Sequence, residues 1–427
     1  MTEGKINMVN HFNKSKSQKK IVVAMDSFKG SLTSLEAGNA VRDGILEKYP
    51  DFGVQIFPVA DGGEGTVEAL TFGKEHVQTR TISVTGPIGT EVSAGYTIYE
   101  QAGEKTAVLE MAQAAGLPLV PEERRNPMHT TTYGVGEMIR DAITCGCRKF
   151  ILGIGGSATN DSGIGMLQAL GFHFMDEAGR EVGYGAEGLA QVRSITTEDV
   201  MQELASCTFQ IACDVTNPLV GAQGCSAVFA PQKGADAKMV QAMDAAMNQY
   251  ADVVEDMYQK NPVLMVNQLT GYDEAGKNVD KNDRQRHDKN RMTPGAGAAG
   301  GLGYACLMFL HAALKPGIDI VLDEIQIEQA IKNADAVITG EGRFDAQTLM
   351  GKTPIGVARI AKLYSVPVYA FAGCFGADVQ VCIDSGVFAG CYAASAASTE
   401  EETRLAMEKM QAYANLRNCV RNNLTGL

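Results

Sequence analysis

The chain has 427 residues, which at about 150 residues per domain implies two or three domains. Its 37 Lys and Arg against 50 Asp and Glu leave a net charge of −13. A surface that acidic repels nucleic-acid phosphates and anionic lipid, so neither partner is expected. With 45% hydrophobic and 20% charged residues, the composition is that of a globular protein with a sizeable core. Its 47 glycines exceed the usual share of roughly 7%, so many backbone sites need positive φ or a close approach.

Residues 1–19 are polar and basic, without the apolar run of a signal peptide, and read as an extension. Lys20 to Met25 is an apolar run of strand length ending at Asp26. Thr33 and Glu36 form a capping-box pair opening a helical pattern that stops at Pro50. Val54 to Val59 is a second strand, running into Ala60-Asp61-Gly62-Gly63-Glu64-Gly65, and a helical pattern follows from Thr66. Strand, loop and helix repeated in this way predict a parallel α/β sheet. The rhythm changes near residue 77. Thr79 to Val84, Val92 to Tyr99 and Thr106 to Met111 read as strands with no helix between them, hence antiparallel or barrel-like β structure.

Phe150 to Ile154 and Phe209 to Cys213 read as buried strands, ending in Gly155-Gly156-Ser157 and Asp214. Residues 261–291 are poor in apolar positions and read as a solvated excursion. Gly295 to Leu314 is uncharged and long enough for a membrane span, but its glycine-rich first half makes a buried helix the better reading. Ala334 to Thr339 and Val366 to Ala372 return to α/β strands, and a last helix is predicted over 400–419. The expected architecture is one α/β domain of residues 20–76 and 292–427, interrupted by a second α/β domain of residues 77–291. Ten cysteines scattered without a disulfide framework point to a reducing, cytoplasmic setting.

Five loops share one grammar, an apolar strand running straight into acidic and small residues. They are 25–30, 60–65, 155–161, 213–217 and 339–345. Ligands of open α/β sheets bind outside the carboxyl ends of strands. Glycines let backbone N–H groups converge on an anion, and adjacent carboxylates offer Mg²⁺ its hard oxygen ligands. The pattern therefore points to phosphoryl transfer or nucleotide binding; the alternative for any one loop is a tight turn with a helix cap. Gly295-Ala-Gly297-Ala-Ala-Gly300 fits a dinucleotide fingerprint as a string, but Met-Thr-Pro precedes it where a strand is required. Residues 346–353 resemble a P-loop, but the strand before them ends too early; Lys352 remains able to touch phosphate as a point charge. The six histidines form no metal-binding pair, and Ser157 lacks the flanking pattern of a hydrolase nucleophile.

Asp26-Ser27-Phe28-Lys29-Gly30, Ala60 to Thr66, Gly155 to Asp161, Pro294 to Gly301 and Gly340 to Asp345 together resemble the signature blocks of bacterial-type glycerate kinases, in that family's order. The resemblance implies a Rossmann- or flavodoxin-like domain interrupted by a barrel-containing one, with the site between them. It implies ATP-dependent, Mg²⁺-assisted phosphorylation of D-glycerate, with 2-phosphoglycerate the favoured product; a monomer or homodimer is expected. Expected catalytic residues are Asp161, Asp214, Lys29 and Asp26, with Asp161 and Asp214 favoured for base or metal work. Expected to hold substrate or phosphate are Ser27, Asp61, Gly62, Gly63, Glu64, Gly155, Gly156, Ser157, Asn160, Asn217, Glu341, Arg343 and Asp345. A kinase of another small hydroxy acid and a non-catalytic sensor of nucleotide or sugar acid are the competing readings.

Overall fold

The computed structural model describes residues 18–260, 290–349, 351–396 and 399–425. Most of the 1–19 extension and of the 261–291 excursion lies outside the described residues. In chain order the strands are β1 (Lys20–Met25), β2 (Gly53–Pro58), β3 (Glu75–Thr85), β4 (Glu91–Gln101), β5 (Glu104–Glu110), β6 (Lys149–Gly153), β7 (His173–Met175), β8 (Ser194–Thr196), β9 (Thr208–Ala212), β10 (Ala313–Lys315), β11 (Ala336–Gly340), β12 (Arg343–Phe344), β13 (Val368–Ala372), β14 (Cys374–Phe375) and β15 (Gly390–Ala393). The chain forms two compact units, one of residues 1–72 with 321–427 and one of residues 73–320.

The first unit is built on a five-stranded parallel sheet ordered β2-β1-β11-β13-β15. Counted within the unit this is the 2-1-3-4-5 order of flavodoxin-like folds, whose ligand crevice opens where the order reverses beside the first strand. Every residue of β11 is buried, as are five of the six in β1, as expected of central strands covered on both faces. The helix Ser34–Lys48 begins at the expected capping box: Thr33 Oγ1 accepts from Glu36 N, and Glu36 returns a carboxylate to Thr33 N. Gly44 lies where a Cβ would stand 2.4 Å from Arg417 O, so only glycine lets the last helix, Lys409–Asn423, pack this closely on the first. The final helix predicted as one piece is broken at Glu408, with Glu400–Met407 before it. The break frees Lys409–Asn423 to bury Ala412, Leu416, Cys419 and Val420 in the core.

The second unit carries a six-stranded sheet ordered β10-β9-β6-β5-β4-β3, parallel from β10 to β5 and antiparallel from β5 to β3. The segment read as antiparallel or barrel-like is antiparallel and forms one flank of an open mixed sheet, because β3 ends the row with no further partner strand among the described residues. A second correction concerns residues 292–320, expected with the first domain. β10 pairs with β9, and the helix Ala298–Phe309, kinked at Ala299, Gly300 and Gly301, lies in the core with Phe150, Phe172 and Phe209, so these residues belong to the second unit. That helix absorbs the uncharged stretch weighed above as a membrane span. No helix among the described residues is long and apolar enough to cross a membrane.

The Pro294–Gly301 block is a packing wedge. Cβ atoms at Gly295 and Gly297 would meet Val215 O at 3.4 Å and Pro218 O at 2.1 Å; one at Gly300 would stand 2.0 Å from Thr159 O. Ser162 N donates to Gly300 O at 3.0 Å and Gly297 N to Asn217 O at 3.0 Å. The block therefore holds the loops after β6 and β9 by backbone contact. Gly300, at φ +67°, suffers twice on gaining a side chain, from left-handed strain and from the clash. Gly300→Ala is expected to cost about 3 kcal/mol and lower Tm by roughly 6–12 °C; an unchanged melting curve would contradict the wedge.

Candidate active site

In the first unit the loops after β1, β2 and β11 come together at the carboxyl edge of the sheet. Asp26 N donates to Gly340 O at 2.9 Å, extending the β1–β11 pairing by one residue. The turn folds back at once, with Phe28 and Leu32 bridged, leaving Lys29 and Gly30 exposed. A Cβ at Gly342 would meet Phe28 Cα at 3.3 Å, and one at Gly65 would meet Ser34 Oγ at 3.3 Å and Ser27 Cβ at 4.0 Å. Small residues thus let the 26–30, 60–65 and 341–345 segments close on one another.

Asp26 is 7% exposed. Its Oδ1 accepts from Ser27 N at 2.6 Å and its Oδ2 from Thr353 Oγ1 at 2.6 Å. Burial pushes its pKa from the ordinary 3.8 up to about 7; repulsion by Asp61 and Glu341 adds to this, and the two hydrogen bonds oppose it. Glu341, also buried, accepts from Thr348 Oγ1 at 2.7 Å, and burial raises its carboxyl as well. Lys352 Nζ lies 3.5 Å from Glu341 and 4.0 Å from Asp345, whose other oxygen is 3.8 Å from Arg343 Nε. Ser27 Oγ is buried without a protein partner. Gly62 and Gly65 have positive φ, and Gly63 N donates to Asp61 Oδ1 at 3.2 Å, while Gly63 and Glu64 are exposed.

The second unit holds the other group of expected residues. After β6, Gly155 and Gly156 are exposed and Gly156 has φ +72°. Leu117 N donates to Gly156 O and Ala158 N to Ala115 O, both at 2.9 Å, so the loop is strapped to residues 115–117. Ser157 Oγ accepts from Lys233 Nζ at 2.7 Å, and Thr159 O accepts from the same ammonium at 2.6 Å. Burial pulls the Lys233 pKa down to about 8; Cys225 and Asp161 act against that shift.

Asp161 is fully buried. Thr132 N and Thr132 Oγ1 both donate to its Oδ2 at 2.8 Å, and Gly163 N to its Oδ1 at 3.1 Å. Burial raises its pKa and those donors pull it back. Asn160 is buried too, with Nδ2 donating to Ser226 Oγ at 3.0 Å. Asp214 is exposed and accepts from Gly317 N at 3.0 Å; Asn217 Nδ2 donates to Gln223 O at 2.8 Å.

The structure therefore gathers Asp26, Ser27, Asp61, Glu341, Arg343 and Asp345 with Lys29 in one unit, and Gly155, Gly156, Ser157, Asn160 and Asp161 in the other. Thr353, Lys233 and Thr132 were not singled out in the sequence. Lys352-Thr353 did carry a signal, the Gly-Lys-Thr string set aside as a P-loop. Lys233 carried none, standing in a short helical turn, Pro231–Lys233.

Residues 21–424 match the model of the glycerate kinase family. The chain belongs to that family. It is thereby a phosphotransferase with an alcohol acceptor. It is 44% identical to a glycerate kinase of Haemophilus influenzae over 370 residues, covering 86% of this chain and 89% of that one. It is 43% identical to glycerate 2-kinase of Escherichia coli over 368 residues, covering 86% and 88%. A solved structure of a protein assigned as glycerate kinase 2 of Salmonella typhimurium LT2 superposes with a TM-score of 0.77 at 39% identity, covering 95% of this chain and 97% of that one.

Asp26 leaves a mark on stability. Its folded pKa lies above its unfolded value, so its proton favours the folded state, and that contribution is lost as pH rises from about 4 to about 7. Asp26→Asn, which cannot ionise, should gain on the wild type across that window by up to about 4 kcal/mol and keep the gain at pH 8. Denaturant melts of both proteins at pH 5 and pH 8 test this; an equal gap at the two pH values would reject a buried, raised Asp26.

Proposed function

We propose that the chain transfers the γ-phosphoryl group of ATP to a hydroxyl of D-glycerate, with 2-phosphoglycerate as the favoured product. The observation that carries the reading is Asp26, a buried carboxyl at the carboxyl end of the first sheet strand, held by Ser27 N and Thr353 Oγ1, whose pKa burial pushes up to about 7. Phosphoryl transfer asks the protein mainly for position and charge compensation. The attacking hydroxyl must also lose a proton, and a base titrating near the working pH accepts it best. In this reading Asp26 takes that proton while Thr353 Oγ1 and Ser27 N fix its two oxygens. Lys29, Arg343 and Lys352 supply positive charge against the phosphates. The E. coli relative's name, glycerate 2-kinase, supports the 2-hydroxyl, and ATP as donor fits a cytoplasmic enzyme.

The second unit supplies an anion cradle, the N–H groups and hydroxyl of Gly155–Ser157. Asp161, favoured in the sequence for base or metal work, serves in this reading to position that loop, since it is fully buried and three donors from Thr132 and Gly163 already hold it. Magnesium binds phosphates and keeps most of its waters, asking a protein for one or two carboxylate oxygens. Among the described residues no group of three or more His, Cys, Asp or Glu could hold a metal by itself. That donor set fits an ion arriving on the nucleotide, with half-exposed Asp61 as the carboxylate the first unit offers it. When bound, the ion neutralises charge on the phosphates.

The test is ADP release coupled to D-glycerate, with the product's position read by phosphorus NMR. ADP should form only with D-glycerate present, and the phosphate should sit on the 2-oxygen. Release without it, or preference for another hydroxy acid, would reject the assignment. Asp26→Asn should lower kcat at least 100-fold. Wild-type kcat/KM should fall about tenfold per pH unit below 7, since only ionised Asp26 can accept the proton.

A further inference from the structure

Lys233 is the buried cation that the mechanism above leaves unused. It is 2% exposed, and a lysine is almost never buried so completely unless its charge is answered. Two acceptors answer it, Ser157 Oγ and Thr159 O, both on the loop that carries the exposed pair Gly155 and Gly156. An ammonium has only donors, so the Ser157 oxygen must accept, and its own hydrogen is turned away from the lysine. Among the described residues that hydroxyl has no protein acceptor, and neither do the backbone N–H groups of Gly155, Gly156 and Ser157.

We propose that Lys233 is a positioning residue that fixes Ser157 as a hydrogen-bond donor to an anionic oxygen of the substrate pair, a phosphate of ATP or the carboxylate of the acceptor acid. The assignment rests on the phosphotransfer reading for the identity of that anion and on the geometry alone for the donor. Lys233 does not touch the ligand. It acts through the serine, polarising its O–H and holding the loop by Thr159 O, so that three N–H groups and one hydroxyl converge on the same anion. The titratable groups facing it are Asp161, which favours the ammonium, and the buried Cys225 thiol, which burial keeps protonated. Once Lys233 loses its proton, Ser157 can turn inward and donate to the amine, and the cradle loses a donor.

The experiment compares the wild type, Lys233→Met, Ser157→Ala and the double variant. Ser157→Ala keeps the buried ammonium and serves where Lys233→Met fails to fold. Each single variant should raise KM for one of the two substrates at least tenfold while kcat stays within about threefold, and the double variant should be no worse than the poorer single one. The affected substrate, D-glycerate or ATP, tells which anion the loop takes. The wild-type KM for that substrate should climb above about pH 8, and that climb should vanish in Ser157→Ala. Unchanged KM values, a loss in kcat alone, or additive effects in the double variant would overturn the proposal. Calorimetric titration with inorganic phosphate and with D-glycerate separates the two readings. If the wild type turns over no D-glycerate yet binds either probe, and both single variants lose that binding tenfold, the donor stands and the substrate assignment falls. If turnover is normal and the variants bind both probes as the wild type does, the substrate assignment stands and the donor falls.

Discussion

A charged group taken out of water must be met by donors or acceptors that cannot leave, and both units meet this demand with backbone anchored at the end of a parallel strand. Asp26 is held by the N–H of its neighbour and the hydroxyl that opens the helix Thr353–Leu363. Asp161 is held by Thr132 and Gly163, and Lys233 by Ser157 and a carbonyl. These partners belong to elements already fixed by sheet pairing and core packing, so the polar groups keep their places without ligand. Preorganisation of this kind is what lets a site stabilise developing charge with little rearrangement.

The three buried ions differ in what they can do next. Asp161 is saturated and inward, which suits a strut. Asp26 is nearly saturated, but its neighbours Asp61 and Glu341 repel it, and a proton or a cation relieves that repulsion. Lys233 shares its charge with a serine on an open loop. Glycine makes these contacts geometrically feasible. A Cβ at Gly340 would lie 1.8 Å from Phe371 O, so β11 could not sit this close to β13, nor Glu341 follow where it does.

Much of this was legible in the sequence because the signals were local. The apolar run Lys20–Met25, the Thr33 and Glu36 box and the strands ending at Gly153 and Ala212 each follow from residues within a few positions. What escaped was set by partners distant in the chain. Residues 292–320 joined the second unit because β10 adds to β9, a pairing across about a hundred residues that no periodicity reports. The strands after residue 77 have no helix between them, which suits a barrel as well as an open sheet, and only the strand row shows that they end an open sheet. Pro294–Gly301 owes its glycines to the loops it presses on. Thr353 meets Asp26 across 327 residues, and neither position hints at the other.

The placement of β1 has a bearing on synthesis. It is the second strand in its sheet's row, and one of its two neighbours, β11, is not made until more than 300 residues later, as the separation of 315 between Lys20 and Asp335 records. At translation speeds of 5–20 residues per second that wait is on the order of 15–60 s. Over that interval Ile21, Val23 and Met25 have one flank without its strand. The continuous stretch 73–320 can meanwhile assemble a core of its own from residues already on hand. The nascent chain is therefore most exposed to strand-edge association and chaperone capture at its beginning, even though that beginning carries the carboxylate on which the proposed chemistry turns.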